Sequence, residues 1–323
     1  MDKPFFSIVV PVFQTEPFLE QCLRSIKQQS FTNFECIVVN DGSPGVDPVD
    51  FTKHQDPGYK PQVKIEGVSR IKQIEYIFSE VVGDDSKFSL ISQLNAGVSA
   101  SRNHAVRLSQ GKWLVNIDSD DWVTSNYLQN FFNSLNQIEN EAFPVVFYRF
   151  SEFYNTANPI KFFKPKKITL ANTVHTSIFY SVNSAFNLDL IGRHNLSYDE
   201  RLGRGSKLEH RVSSGGEDFM FGFQYLNAVV QDFGENFKVI EIPGGEYKYR
   251  EFGYDQKKAE DFNGPYSYAK YFQEIGLKHP DRKVRFVSRV LPFWVKLRTS
   301  PNKIIRLFGR GFSLFMRLIT DCY

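Results

Sequence analysis

The sequence of 323 residues predicts an α/β fold in which a largely parallel sheet carries helices on both faces. Short apolar runs at about 5–12, 34–39 and 112–117 are typical of buried strands, and segments with apolar residues at helical spacing separate them. In such sheets ligands bind beyond the carboxyl ends of the strands, where the strand order reverses. The residues that follow each run are therefore the first candidates for a functional site.

The predicted helices follow from the spacing of apolar side chains. The first, at about 16–29, has five apolar residues at helical intervals: Phe18, Leu19, Cys22, Leu23 and Ile26. The segment 44–92 is unusually long; it begins rich in Gly, Pro and Asp, which predicts a loop, and then holds a helix at about 68–82. Two further helices are predicted at about 97–109 and 125–138.

The apolar strand at 112–117 ends in three carboxylates within four positions, which are Asp118, Asp120 and Asp121. Successive side chains of a strand point to opposite faces, so Asp118 and Asp120 leave the strand end on one side. Two carboxylates on one side suit a divalent cation that also holds phosphates. The alternative is an acidic turn that caps the following helix, a position that Ser125 also suits.

Further segments accompany this cluster in order along the chain. They are Phe5–Phe13, Phe34–Ser43, Asn95–Asn103, Tyr198–Glu200 and Gly216–Phe219. Together they resemble the family 2 glycosyltransferases over roughly residues 5–250. The resemblance implies a Rossmann-like, glycosyltransferase A-type fold and an inverting transfer of a sugar from a nucleoside diphosphate, with Mn²⁺ or Mg²⁺ as the cofactor.

The resemblance also implies roles for residues near the nucleotide. Asp41 would accept hydrogen bonds from a uracil base, although an Asx turn or a helix cap also explains Asp-Gly-Ser. A lip over the base would be formed by Pro11, Val12 and Phe13. Glu16 would supply the adjacent polar wall, and the alternative place for Phe13 is the hydrophobic core.

Gly97, Arg102 and Asn103 lie at the start of the helix predicted at about 97–109. Free backbone N–H groups at a helix start favour anions, and an arginine fork adds bidentate recognition of phosphate or base. We therefore expect nucleotide contacts from these three residues. The alternative for Arg102 is a solvated or salt-bridged arginine of the helix.

The family pattern divides the acids of the strand end between two tasks. Asp118 would face the ribose or sugar and share the metal with Asp120, while Asp121 would support them. Within the segment Tyr247–Arg250, the pattern further implies that Tyr249 and Arg250 lie near the donor phosphates.

Asp218 would be the general base that removes the proton of the acceptor hydroxyl, with Glu217 as its substitute. The alternative is that both acids only stabilise the first turn of a helix through its dipole. The preceding segment 203–216 has glycines at both ends and basic residues within, which suits a mobile lid over a diphosphate. A plain surface loop is equally consistent with it. His175, His194 and His210 have no metal-ligand spacing.

The pattern predicts a catalytic domain at 1–275 and a basic helical tail at 276–323. The catalytic domain would comprise a nucleotide half at about 1–122 and an acceptor half at about 123–275. Residues 278–317 hold eleven Lys or Arg and one acid, Asp281, and such a basic segment predicts an anionic partner.

The tail segment 302–319 has its basic residues on one side of a helical wheel: Lys303, Arg306, Arg310 and Arg317. We expect it to lie on an anionic membrane surface. The alternative is docking of its apolar side on the catalytic domain or on a second copy of the chain in a homo-oligomer.

Three scattered cysteines, Cys22, Cys36 and Cys322, favour a reducing compartment. The start of the chain predicts a strand rather than a signal peptide, and no apolar run approaches the roughly 18 residues of a membrane span. We therefore expect a cytoplasmic enzyme, peripheral at the inner face of the membrane. It would use a UDP-sugar and a glycan or polyprenyl-linked acceptor, without a nucleic-acid partner.

Two rival functions remain at this point. A sugar nucleotidyltransferase would need a Gly-rich, Arg-bearing phosphate loop after the first strand, where this chain has Pro11–Thr15. A non-catalytic polymer- or membrane-binding protein on a transferase scaffold would have no need for the acids at positions 41, 118, 120 and 218. Release of nucleoside diphosphate from a donor sugar separates these rivals from the transferase.

Overall fold

The computed structural model describes ten stretches of the chain, from Lys3 to Arg298. They are 3–47, 59–137, 142–148, 153–154, 170–173, 181–203, 215–234, 236–242, 246–250 and 264–298. The predicted tail segment 302–319, most of the predicted lid, His175 and His210 lie outside them.

The main sheet has seven strands. In chain order they are β1 Phe6–Val12, β2 Phe34–Asn40, β3 Phe88–Ser92, β4 Trp113–Asn116, β6 Phe143–Tyr148, β8 Ser184–Asn187 and β9 Phe237–Ile242. Their order across the sheet is β3-β2-β1-β4-β8-β6-β9. All neighbours are parallel except that β8 runs antiparallel to both β4 and β6. This confirms the mostly parallel sheet that the sequence predicts.

A smaller sheet of three short strands lies beside the main one. Its strands are β5 Trp122–Val123, β7 Phe153–Tyr154 and β10 Tyr247–Arg250. Strand β10 is central, antiparallel to β5 and parallel to β7. Because β5 begins directly after Asp121, this sheet brings residues near position 250 to the end of β4.

Nine α-helices occur in the described residues. They are α1 Glu16–Lys27, α2 Gln73–Val82, α3 Val98–Leu108, α4 Tyr127–Asn136, α5 Leu170–Thr173, α6 Leu188–Arg193, α7 Glu217–Phe233, α8 Gly264–Gly276 and α9 Arg282–Arg298. The helices predicted before residue 140 agree with α1 to α4 to within a few residues. Strand β3 lies in the unusual segment 44–92, where the sequence predicts a loop and a helix but no strand.

Side chains of the central strands alternate between two core clusters, one on each face of the sheet. On one face, Ile8 and Cys36 pack with residues of α1, α2 and α4. On the other, Val9 and Leu114 pack with residues of α3, α7 and α9. Strands buried on both faces explain why the apolar runs are nearly continuous, and they confirm helices on both sides of the sheet.

Helix α9 belongs to the second core cluster, although the tail is predicted to begin at residue 276. Val284, Val287 and Leu291 are buried there together with Phe272 of α8. A tail separate from the catalytic domain stays a prediction for the residues after α9. Within the described stretches, no helix combines the length and the apolar character needed to cross a bilayer.

Strands β1, β2 and β3 succeed one another outward, and the chain then returns to place β4 on the other side of β1. The strand order therefore reverses between β1 and β4, which is where a ligand crevice is expected in such sheets. Asp41 directly follows β2 and Asp118 lies two residues after the end of β4, on either side of β1. The fold thus brings these predicted residues to one edge.

Candidate active site

After β4 the chain turns through Asp118, Ser119, Asp120 and Asp121, a segment that we call the strand-end corner. One carboxylate oxygen from each of the three aspartates lies within 4.8 Å of the others. The backbone N–H of Asp121 donates to the carbonyl oxygen of Asp118 at 3.0 Å, so the corner is a tight turn. Carboxylate oxygens gathered in this way fit a hard divalent cation.

Asp121 is the buried member of the corner. Its Oδ2 accepts a hydrogen bond from the Tyr247 hydroxyl and its Oδ1 accepts one from the backbone N–H of Arg250, both at 2.7 Å. Burial raises the pKa of Asp121 well above its usual range, and the charges of Asp120 and Asp118 raise it further. Asp121 therefore fastens the corner to β10, and Asp118 and Asp120, which are partly exposed, are better placed to hold a cation.

Arg250 supports the corner from the same strand. Its Nε donates to the carbonyl oxygen of Asp120 at 2.8 Å, and its Nη2 donates to Oε1 of Gln21. The guanidinium carbon lies 4.7 Å from the ring centroids of both Phe18 and Trp122. The predicted phosphate contact of Arg250 stays a prediction, as does that of Tyr249, whose side chain lies outside the described part.

Arg102 joins the corner to the start of α7. Its Nη2 donates to Oδ1 of Asp118 at 2.9 Å, and its Nη1 donates to Oδ1 of Asp218 at 2.7 Å. The side chain is only 2% exposed, and its guanidinium lies 5.5 Å from the ring centroid of Tyr198. Although burial opposes the charge, Asp218 and Asp118 hold the pKa of Arg102 above its ordinary value. Arg102 is therefore salt-bridged within the candidate site, and its contact with a nucleotide stays a prediction.

Glu217 is the least satisfied acid of the site. Its Oε1 lies 3.6 Å from Nη1 of Arg102, and its buried Oε2 has no hydrogen-bond partner among the described residues. Burial, with a further contribution from Asp218, raises the pKa of Glu217 to about 7. Gly203 lies against it, since a Cβ there would come within 3.3 Å of the Glu217 carboxyl carbon.

Asp41 has both carboxylate oxygens engaged. They accept hydrogen bonds from the backbone N–H groups of Ala96 and Gly97 at 2.9 and 2.8 Å, and from the side-chain amides of Gln93 and Asn95 at 2.8 and 3.1 Å. Gly97 has a φ of +97°, a conformation that favours glycine. Asp41 therefore fixes the loop that starts α3.

The end of β1 forms the predicted lip. Pro11 and Val12 are buried, while Phe13 is 39% exposed, which excludes the core alternative for Phe13. Glu16 is buried and hydrogen-bonded to the hydroxyl of Ser43, and burial raises its pKa. Its second oxygen, Oε2, has no partner among the described residues.

Asn103 does not face the strand-end corner. Its side-chain amide forms two hydrogen bonds with the backbone of Tyr198: it donates to the carbonyl oxygen at 2.9 Å and accepts from the N–H at 2.8 Å. It also donates to Oε1 of Glu200 at 3.0 Å. Tyr198 in turn stacks on Phe221 of α7, with ring centroids 4.1 Å apart. Asn103 therefore holds the Tyr198–Glu200 segment in place.

The sequence pattern described as "Glycosyl transferase family 2" matches residues 7–66 and 71–193, more than half of the chain. The chain belongs to glycosyl transferase family 2. It is 26% identical over 210 residues to the uncharacterized glycosyltransferase EpsJ of Bacillus subtilis (strain 168), a match that covers 62% of this chain and 52% of EpsJ.

Two other relatives from the same organism match shorter shares of their own length. EpsH is 29% identical over 134 residues, 42% of this chain and 31% of EpsH. The minor teichoic acid biosynthesis protein GgaB is 24% identical over 217 residues, 65% of this chain and 21% of GgaB. The chain thus spans about half the length of EpsJ and less of the other two.

Solved structures share the fold at low identity. TarS 1–349 of S. aureus in complex with UDP-GlcNAc superimposes with a TM-score of 0.61 and 16% identity, over 96% of this chain and 75% of that one. The mannosyltransferase PcManGT from Pyrobaculum calidifontis, in complex with GDP-Man and Mn²⁺, gives 0.55 and 13%, over 99% and 85%. These likenesses confirm the predicted glycosyltransferase fold.

Two of the contacts that build the candidate site are not predicted by the sequence. Tyr247 donates to Asp121, and the hydroxyls of Thr15 and Ser119 lie 2.7 Å apart, which ties the end of β1 to the corner. Tyr247 stands in the segment that resembles the family, so its place in a strand was the available signal. Nothing in the local sequence around Thr15 indicates its partner.

Proposed function

We propose that the chain is an inverting, metal-dependent glycosyltransferase that moves a sugar from a UDP-sugar to a hydroxyl of a glycan or polyprenyl-linked acceptor. The observation that carries the proposal is the bridge of Arg102 between Asp118 and Asp218. It puts a candidate metal corner and a candidate base on opposite sides of one buried cation. TarS in complex with UDP-GlcNAc supports the uridine donor, and the name of GgaB supports cell-surface polysaccharide synthesis.

The donor end of the site is the strand-end corner. Asp118 and Asp120 would hold Mn²⁺ or Mg²⁺, and PcManGT, which shares the fold and is in complex with Mn²⁺, supports a metal cofactor. When bound, the cation neutralises the charge that develops on the leaving nucleoside diphosphate. Asp121, Tyr247 and Arg250 fix the turn so that the two ligands keep their spacing.

The acceptor end is the start of α7. Asp218 is 23% exposed, and Arg102 holds its Oδ1 at 2.7 Å. The acceptor hydroxyl gives its proton to Asp218 while its oxygen bonds to the anomeric carbon. The bond from that carbon to the diphosphate oxygen breaks on the opposite side, so the anomeric configuration inverts and the nucleoside diphosphate leaves with the electron pair.

The nucleotide would lie at the carboxyl end of β1, between the residues that follow β2 and those that follow β4. Phe13, which is partly exposed, would cover the base, with Pro11, Val12 and Glu16 behind it. The four hydrogen bonds that Asp41 now accepts include two from side-chain amides, Gln93 and Asn95. A uracil N–H would replace one of these amides, and Gly97 would place the start of α3 beside the ribose and phosphates.

Cleavage of nucleotide sugars tests the function directly. A panel of uridine, guanosine, thymidine and cytidine diphosphate sugars is incubated with the full chain, with Mn²⁺, with Mg²⁺ or with a chelator, and the released nucleoside diphosphate is measured. We expect release from a UDP-sugar that requires the metal. No release from any donor would contradict a transferase and favour the non-catalytic rival.

Asp120→Ala tests the metal corner in the same assay. We expect release to fall roughly a thousandfold, because the variant lacks a ligand of the cation that neutralises the leaving group. Asp84→Ala is the matched control, since Asp84 is exposed in the turn after α2. Activity of Asp120→Ala near that of the control across a Mn²⁺ titration would contradict the metal assignment.

A further inference from the structure

Helix α9 presents a regular row of exposed side chains. They follow one another at intervals of four and three residues and are Arg282, Phe286, Arg289, Phe293 and Lys296. On a helix of 3.6 residues per turn, this spacing keeps all five on one face. Its opposite face is buried in the core through Val284, Val287 and Leu291. We call the exposed row the outer stripe.

The outer stripe is both cationic and aromatic. Phe286 is 38% exposed and Phe293 is 57% exposed. Within the stretches that the structure describes, the side chains of Arg282, Arg289 and Lys296 form no ion pair. Two exposed phenylalanines between three cations are costly to leave in water unless a surface covers them, because large apolar side chains gain from burial.

The spacing of the cations continues in the sequence. After Arg282, Arg289 and Lys296, every seventh position as far as 317 is again basic: Lys303, Arg310 and Arg317. Over the same interval, 282–317, the chain carries no acidic residue. A uniform positive sign of this extent suits one broad anionic partner rather than a mixed protein surface.

We propose that the outer stripe of α9 binds the surface of an anionic lipid bilayer. The three cations would meet the headgroups, and Phe286 and Phe293 would enter the boundary between headgroups and acyl chains. This partner is additional to the donor and acceptor proposed above and does not depend on which sugar is transferred. The stripe is also separate from segment 302–319, for which a membrane contact is expected from the sequence.

Charge argues against the two other occupants of this face. A second copy of the chain in a two-fold dimer would set the same patch against itself, so Arg282, Arg289 and Lys296 would face like charges. Residues 299–323 carry four basic residues and one acid, Asp321. Packing that segment on the stripe would also bring cations together, which is unfavourable.

The position of α9 connects this surface to the acceptor end of the site. Ser288 of α9 packs against Gly276 of α8, where no room exists for a Cβ. Phe272 of α8 faces the ring of Phe219 at 5.6 Å, and Phe219 follows Asp218 directly. A bilayer bound to the outer stripe would therefore lie two helices away from the candidate base.

Vesicle sedimentation of the full chain tests the proposal. The variant carries Arg282→Gln, Arg289→Gln and Lys296→Gln, and the vesicles contain phosphatidylglycerol and phosphatidylcholine or phosphatidylcholine alone. Each basic residue near an anionic surface contributes about fivefold to binding, so we expect a loss of roughly a hundredfold for the triple variant. Raising the salt from about 0.1 M to about 1 M should weaken wild-type binding similarly.

The matched control carries Lys64→Gln, Lys72→Gln and Lys238→Gln, three exposed cations elsewhere with the same change of charge. We expect it to bind as the wild type does. Phe286→Ser with Phe293→Ser should reduce binding roughly tenfold at either salt concentration. Donor cleavage by all variants in solution should stay at the wild-type rate, so failure of the surface is distinguishable from failure of the proposed function.

Two results would overturn the proposal. One is equal binding of the stripe variant and the control to anionic vesicles, which would leave the contact to another segment. The other is a wild-type chain that does not bind vesicles, together with a lower oligomeric mass in light scattering for the variant that carries Phe286→Ser and Phe293→Ser. That result would assign the stripe to a second copy.

Discussion

The two acidic regions of the site differ in whether the buried carboxylate oxygens accept hydrogen bonds. In the strand-end corner, both oxygens of Asp121 accept hydrogen bonds from β10. At the start of α7, Oε2 of Glu217 is buried without a partner among the described residues. Both regions hold a second acid that contacts Arg102, at Asp118 and Asp218.

The strand-end corner is thus a fixed region, whereas the start of α7 contains a buried carboxylate oxygen that has no hydrogen-bond partner among the described residues. A buried polar atom without a partner costs on the order of 1–3 kcal/mol, so the fold tolerates at Glu217 a cost that it avoids at Asp121. The corner is therefore built to keep its geometry through the reaction. The start of α7 retains a carboxylate that gains a hydrogen bond when a hydroxyl or an amide reaches it, which is what the proposed acceptor would bring.

The largest effect is expected at the exposed acid of the second region. Asp218→Asn should reduce sugar transfer by roughly 10²–10⁴-fold, because an amide cannot take the acceptor proton. Nucleotide affinity should remain, which calorimetry with the nucleoside diphosphate checks. Asp232→Asn, near the other end of α7, is the control and should transfer at the wild-type rate.

Loss of nucleotide affinity with unchanged turnover in Asp218→Asn would place this acid at the donor instead. The contrast between the two regions would then fail, since both would serve the nucleotide. Retention of full transfer would direct attention to Glu217 as the base.

Glu217 makes the contrast measurable as stability. Its pKa rises on folding from 4.5 to about 7, so the folded state binds more protons than the unfolded state between these values. The free energy of unfolding should therefore fall as the pH rises through this window, by about 3 kcal/mol from this residue. Glu217→Gln should flatten the fall, because the amide does not titrate.

Urea unfolding with a chelator present, at several pH values across this window, checks the effect. Glu66→Gln replaces an exposed acid and should follow the wild type. Parallel curves for wild type and Glu217→Gln would mean that Oε2 is satisfied in solution, and the distinction from Asp121 would disappear.

A smaller effect is expected from loosening the fixed region. Arg250→Lys keeps the charge but loses the planar fork that reaches Asp120 and stacks between Phe18 and Trp122. Mn²⁺ affinity should fall roughly 10–100-fold, as for other residues that orient metal ligands. Arg24→Lys, on α1 beside Glu20, is the control, and calorimetric titration of Mn²⁺ compares them. Equal affinities would show that the corner holds its geometry without Arg250.

The early part of the fold was predictable from the sequence. Strands β1, β2 and β4 and helices α1 to α4 have nearly continuous apolar runs or helical spacing, which depend on neighbours within a few residues. Strand β8, which runs antiparallel inside the main sheet, and the edge strand β3 were not predicted. Their places depend on pairing with distant strands, which leaves no periodic signal in four or five residues.

The same division holds within the candidate site. Local sequence predicts the strand-end acids, the Asp41 turn and the acidic start of α7, because each adjoins an apolar element that its own residues specify. The contacts of Arg102 with Asp218, across 116 positions, and of Tyr247 with Asp121, across 126, appear only in the folded chain. Such contacts depend on how the strands are ordered across the sheet, and burial then makes each polar group require a partner that local sequence cannot name.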